Sequence, residues 1–119
     1  MHSIKNEAVE SIILASRNVY PHEFISMLGG KNGVIEELVV LPADFGEDFS
    51  TIRLDLAPFD KTIIGTVHSH PDPDNRPSEA DLEVFRRAVQ VHIIIGYPYT
   101  LNTIKAFDSK GKKVALKVI

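Results

Sequence analysis

Residues 62–81 read TIIGTVHSHPDPDNRPSEAD, and this stretch decides the fold. Thr62 to His70 is rich in β-branched residues and predicts a strand more buried than one with a single wet face. Pro71, Pro73 and Pro77, with Asp72, Asp74 and Asn75 between them, cannot form regular structure and predict a stiff surface loop. Ser78 then opens a helix, in which Leu82, Phe85 and Val89 recur at helical spacing while Glu79, Glu83, Arg86 and Arg87 take the polar faces. That helix should end near Gln90, where the continuous apolar run Val91 to Ile95 predicts a second buried strand.

Upstream, Ile4, Ala8, Ile12 and Ala15 recur at steps of three to four and predict one amphipathic helix from Ile4 to Val19, closed by Pro21. Phe24 to Leu28 reads as a short strand ended by Gly29 and Gly30, with Glu23 at its start. A turn at Lys31-Asn32-Gly33 leads to a strand over Val34 to Leu41 and an acidic loop over Ala43 to Ser50 anchored by Phe45 and Phe49. Thr51 to Leu56 alternates as a strand with one wet face, an edge beside which an extended segment is expected to add by strand pairing near Arg53 to Leu56. Asn102 to Phe107 alternates, Asp108 to Gly111 is a turn, and Lys112 to Ile119 alternates again, which predicts a closing hairpin. No repeat or linker interrupts residues 1–119, so one α/β domain is expected.

Composition sets the function classes. With 44% hydrophobic and 24% charged residues, the chain of 119 residues is a folding domain rather than a disordered or fibrous one. A formal charge of -3 with no basic block argues against nucleic acid as a partner. The absence of cysteine removes disulfide scaffolds, thiolate zinc fingers, iron–sulfur proteins and cysteine hydrolases, so any metal must bind through nitrogen and oxygen. No apolar run approaches the roughly 20 residues that span a bilayer, and the amino terminus lacks a signal-peptide pattern. A cytoplasmic protein without membrane partners is the expectation.

His68 and His70 stand two apart on the same strand and therefore face one side. Two imidazoles are a good start for zinc, which wants three or four ligands and, in a catalytic site, one position left for water. Asp81, in the first turn of the helix that Ser78 opens, can project back over the strand end as the third ligand. The competing reading makes Ser78 an ordinary N-cap and Asp81 its reciprocal capping-box acid, with both histidines simply exposed. His22-Glu23-Phe24-Ile25-Ser26 is half of an HExxH zinc helix, but the second histidine is missing and the surroundings read as strand. His2, His22 and His92 are not credible further ligands.

The pattern His68-x-His70-Pro71, six residues, Ser78, two residues, Asp81 resembles the signature of the JAMM metalloproteases, the active branch of the MPN domain family. Glu23-Phe24-Ile25-Ser26-Met27-Leu28-Gly29-Gly30 is similar to that family's upstream glutamate segment, and the short chain resembles its stand-alone archaeal branch. The resemblance implies a single MPN/JAMM domain with a mixed, curved sheet flanked by helices in a cytidine-deaminase-like layering. It further implies one Zn2+ per chain on His68, His70 and Asp81 with a bound catalytic water. Glu23 would be the general acid/base, and Ser78 would help hold the developing oxyanion. The substrate class it implies is the amide or isopeptide bond after the C-terminal tail of a ubiquitin-like protein or its conjugate. Trimming of a sulfur-carrier protein tail and a non-enzymatic MPN scaffold are the alternatives, and a homodimer is compatible with all three. A chain this short has little room for the insertions with which larger members select ubiquitin linkages.

Overall fold

The computed structural model describes residues 2–39, 62–79, 81–82 and 90–119. The expected acidic loop, the strand and tail-docking edge at 51–56, the end of the strand from Val34 and most of the second helix lie outside the described residues. Eight strands are described: β1 (His2–Ile4), β2 (Ile25–Lys31), β3 (Val34–Val39), β4 (Ile63–His70), β5 (Val91–Gly96), β6 (Ile104–Phe107), β7 (Lys113–Val114) and β8 (Leu116–Val118). They form one mixed sheet in the order β7-β6-β5-β4-β2-β3-β1-β8. β4 and β5 run parallel, and β2 lies antiparallel on the other side of β4. Parallel neighbours need a long crossover, and residues 71–90 supply it.

The two outermost strands in that order, β7 and β8, are consecutive in the chain with only Ala115 between them. One residue spans about 3.5 Å, so the sheet must curve until its two edges nearly meet. This differs from the expected closing hairpin. β7 does fold back on β6 through the Asp108 to Lys112 turn, in which the Asp108 carboxylate accepts the Lys110 and Lys112 N–H groups. After Ala115 the chain leaves that hairpin and pairs parallel with β1.

β1 itself replaces the first turn of the expected helix. Ile4 sits four residues before Ala8 and so imitates helical spacing, yet it lies in a strand, and α1 runs over Asn6–Val19. The helix buries Ala8, Val9, Ile12 and Ser16 as one stripe. Glu7 in its first turn and Arg17 in its last match the helix dipole. The stripe packs with Phe24, Leu28, Ile35, Val67, Ile93 and Ile95 in the main core. Ile94, between Ile93 and Ile95, joins Phe107 and Leu82 in a separate cluster that seats the start of the crossover helix. Since neighbours on a strand point to opposite faces, α1 and Leu82 lie on opposite sides of the sheet. The mixed curved sheet is as expected, with α1 the one α-helix among the described elements; the rest of the expected second helix lies outside the described residues. No helix among the described residues is long and apolar enough to cross a membrane.

Gly29 and Gly30 do not end β2 as expected; the strand continues to Lys31, with a bulge against β3 between the two glycines. A methyl group on Gly30 would stand 1.9 Å from the Val34 carbonyl oxygen, whereas on Gly29 it would meet the Val39 side chain at 3.0 Å. A paired backbone cannot retreat, but a side chain can turn. Gly30→Ala should therefore cost about 2–3 kcal/mol in urea unfolding, and Gly29→Ala under about 1.5 kcal/mol. Equal losses would show that the bulge yields and that Gly30 is not sterically required.

Candidate metal centre

β4 ends in His68-Ser69-His70, in the middle of the sheet and at the carboxyl end of the parallel β4–β5 pair. Crevices at such strand ends are where open α/β sheets bind ligands. His68 pairs with Ile94 across the ladder and faces the crossover side, away from α1. The crossover returns Asp81 to the same place. Asp81 Oδ1 lies 3.0 Å from His68 Nε2, and Oδ2 lies 3.3 Å from His70 Nε2. The two Nε2 atoms are 2.8 Å apart. One donor atom from each of the three residues lies within 4.8 Å of the others, a group that could hold a metal ion.

The capping box forms as well. The Ser78 N–H donates to Asp81 Oδ2 at 2.7 Å, and the Asp81 N–H donates to Ser78 Oγ at 3.1 Å. The cap of the competing reading is therefore present, but its exposed histidines are not, since His68 is buried and His70 nearly so; a carboxylate has enough lone pairs to accept from the helix start and still face the histidines. The cap fixes the direction of Asp81, the part an outer partner plays around a metal ligand.

His70 Nδ1 lies 2.6 Å from the Asp74 carbonyl oxygen. A carbonyl only accepts, so Nδ1 carries a proton, and Nε2 is the ring nitrogen turned toward His68 and Asp81. His68 Nε2 can offer at most one proton to two neighbours, His70 Nε2 and Asp81 Oδ1. Polar atoms of all three side chains thus crowd one point, where a cation could be held.

Burial and the neighbouring charges shift the three groups in different directions. Burial, which strips hydration from the cation, pushes the His68 imidazole below its usual value despite the nearby Asp81 carboxylate. For His70 burial also works downward and is the largest single influence, yet the Asp81 carboxylate and the Asp74 carbonyl together raise it. Burial alone would raise Asp81; hydrogen bonds from His68, His70 and the Ser78 N–H overcome it and hold the carboxyl well below the usual range. The anion is therefore present at neutral pH.

Glu23 immediately precedes Phe24 and β2. The register sets Ile25 opposite His68, so the same pairing carried back two residues brings Glu23 to His70. Glu23, His70, Pro71, Asp74, Arg76 and Ser78 are among the residues lining one open cavity of about 420 Å³. The structure thus brings His68, His70 and Asp81 together and sets Glu23 and Ser78 on the rim of the adjoining space. His22 is exposed, while His92 is buried with its Nδ1 2.6 Å from Thr66 Oγ1, which makes it a structural residue.

Three supporting residues escape a reading of the sequence. Asn75, in the proline-rich loop, is buried and donates through Nδ2 to the Thr103 carbonyl at 2.9 Å, tying the loop down. Asp74 acts through its backbone, which no side-chain pattern reveals. Ser69 lies inside the motif, yet its bonds lead away from the histidines.

Residues 5–110 match the family of prokaryotic homologs of the JAB domain. Over 127 aligned positions the chain is 34% identical to a Haloferax volcanii protein described as a probable metalloprotease, covering 98% of this chain and 78% of that one. A JAB1/MPN domain protein from Archaeoglobus fulgidus is similar in structure with a TM-score of 0.79 at 35% identity, over 100% of this chain and 97% of that one. A structure presented as the JAMM metalloprotease-like zinc site in the proteasome and signalosome gives a TM-score of 0.79 at 36% identity, over 100% and 98% of the two chains. A Desulfitobacterium hafniense protein, with a TM-score of 0.68 at 21% identity, shares the fold.

A divalent metal ion titrated calorimetrically into the protein should bind at about one per chain, and replacing His68 and His70 together by Ala should abolish the uptake. Asp81→Asn, which keeps an acceptor for the Ser78 N–H but removes the charge, should weaken binding by at least roughly 10- to 100-fold. Unchanged uptake in the double histidine variant would move the metal site elsewhere.

Proposed function

The chain belongs to the prokaryotic JAB-domain family, a metalloprotease family of the JAMM type, and from that premise we propose that it is a zinc-dependent peptidase cleaving the amide or isopeptide bond that follows the C-terminal tail of a ubiquitin-like protein. The observation that carries the reading is the meeting of His68, His70 and Asp81 beside an open cavity rimmed by Glu23 and Ser78.

The donor set suits zinc. His68, His70 and Asp81 would hold the ion through two imidazole nitrogens and a carboxylate oxygen, a nitrogen and oxygen set that zinc accepts. When bound, zinc would supply a water acidic enough to lose its proton near neutral pH, so that no side-chain nucleophile is required. The Glu23 carboxylate, which lines the cavity together with His70, would take a proton from the attacking water and later deliver one to the leaving amine. Ser78 Oγ accepts the Asp81 N–H as a cap, which engages a lone pair and leaves its own proton free to donate to the developing oxyanion.

An open cavity lined largely by polar side chains suits an extended tail of small residues better than a bulky side chain seeking an apolar pocket. Sulfur-carrier tail trimming differs only in the leaving group. A scaffold role draws less support from the residues, since it would not need His68, His70 and Asp81 to meet beside a cavity lined by Glu23 and Ser78.

Zinc-loaded protein should release the partner of a ubiquitin-like protein at its Gly-Gly tail, with the new carboxyl terminus identified by mass spectrometry. Bulky residues in place of Gly-Gly should abolish cleavage, and failure on every tail tested would favour the scaffold. Glu23→Gln should keep its zinc and lose turnover by roughly 10²–10⁴-fold; loss of zinc would make Glu23 a direct ligand. Ser78→Ala should lower turnover by roughly 10- to 10³-fold and stability by about 0.5–2 kcal/mol. Measured at a temperature where both proteins are folded, full turnover per molecule would reduce Ser78 to a helix cap.

A further inference from the structure

Ser69 stands between the two histidines of β4 but on the opposite face, fully buried toward the α1 side. Its hydroxyl accepts the Phe24 N–H at 2.7 Å, and its N–H donates to the Phe24 carbonyl at 2.9 Å. Phe24 lies one residue before β2 begins and one after Glu23. These two bonds therefore carry the β2–β4 pairing one step past the strand, and Glu23 is the first residue beyond the last anchor. Phe24 is itself buried in the main core, so neither end of the anchor is loose.

We propose that Ser69 is a positioning residue for Glu23: by holding the Phe24 amide, its hydroxyl sets the Glu23 carboxylate against the histidine side of the cavity. The effect on turnover rests on the hydrolytic reading above, whereas the effect on geometry does not. Buried hydroxyls need partners, and a serine in the apolar α1 face would be replaceable by alanine if filling space were its only task. A displacement of about 1 Å in a reacting group can cost roughly 10²-fold in rate, so an anchor one residue from the base matters to it directly.

Ser69→Thr and Ser69→Val offer nearly the same shape to the core and differ in the hydroxyl. With a ubiquitin-like protein fused through its tail to a reporter peptide, the Val variant should show kcat roughly 10- to 100-fold below the Thr variant. KM and the zinc content should be the same in both. In a Glu23→Gln background the difference between Thr and Val should vanish, because the hydroxyl acts through that carboxylate. Equal kcat in the two variants, or an undiminished ratio in the Gln background, would overturn the proposal and leave Ser69 a core hydrogen bond. Two further measurements need no turnover: amide exchange at Phe24 should be faster in Val than in Thr, and crystal structures of the zinc-loaded variants should show Glu23 displaced in Val alone. If the wild-type protein cleaves no tail, the hydrolytic reading fails, and an unmoved Glu23 in the Val variant would separately overturn the positioning role.

Discussion

The register of β4 against its two neighbours is the constraint on which the rest of the site depends. Ile25 opposite His68 on one side and Ile94 opposite it on the other decide which face the histidines take. A one-residue slip in either pairing would turn them into the α1 core. The same register brings the segment before β2 to the carboxyl end of β4, because antiparallel strands set the start of one beside the end of the other. Glu23 is thereby delivered to histidines more than forty residues away in sequence without a loop of its own. β4 holds this register because it lies within the sheet and is buried along nearly its whole length.

Asp81 has a harder path, since it arrives through a crossover whose first part is the proline-rich loop. That loop is fastened at several points. The Tyr97 N–H donates to the carbonyls of His70 and Asp72 at 3.1 and 3.0 Å, Asn75 binds the Thr103 carbonyl, and Asp74 pairs with Arg76 through both carboxylate oxygens. The exposed Asp74–Arg76 pair adds little stability by itself. Its value is geometric, for it shapes the turn whose Asp74 carbonyl sets the His70 tautomer.

How much of this was legible in the sequence follows from the range of each signal. The meeting of His68, His70 and Asp81 was legible because i and i+2 on a strand and the first turn of a capped helix are local rules, and His68-x-His70 and Ser78-x-x-Asp81 obey them. The family signature then joined the two pieces. β1 was not legible: three residues carry no period, and Ile4 fell by coincidence on the helical spacing of Ala8. The departure at Ala115 was invisible for a different reason. Alternation over Lys112 to Ile119 is satisfied equally by a hairpin arm and by a strand that changes partners midway, and only the closing sheet distinguishes them. Gly29 and Gly30 looked like a terminator because glycine disfavours strands, yet close approach of the β3 backbone made a small residue obligatory inside one.

The two faces of β4 divide the work. Toward α1, Val67 and Ser69 belong to a buried interior that fixes backbone position; toward the crossover, His68 and His70 turn their Nε2 atoms to one point. A metal site assembled from flexible parts would have to order them on binding and lose affinity in doing so. Here the ordering is done by folding, since Ser69 is bonded to Phe24, Asp81 is held by the Ser78 cap, and His70 is held by the Asp74 carbonyl. A cation taken up between His68, His70 and Asp81 would meet side chains whose directions folding has already set, so little ordering would remain to oppose its binding.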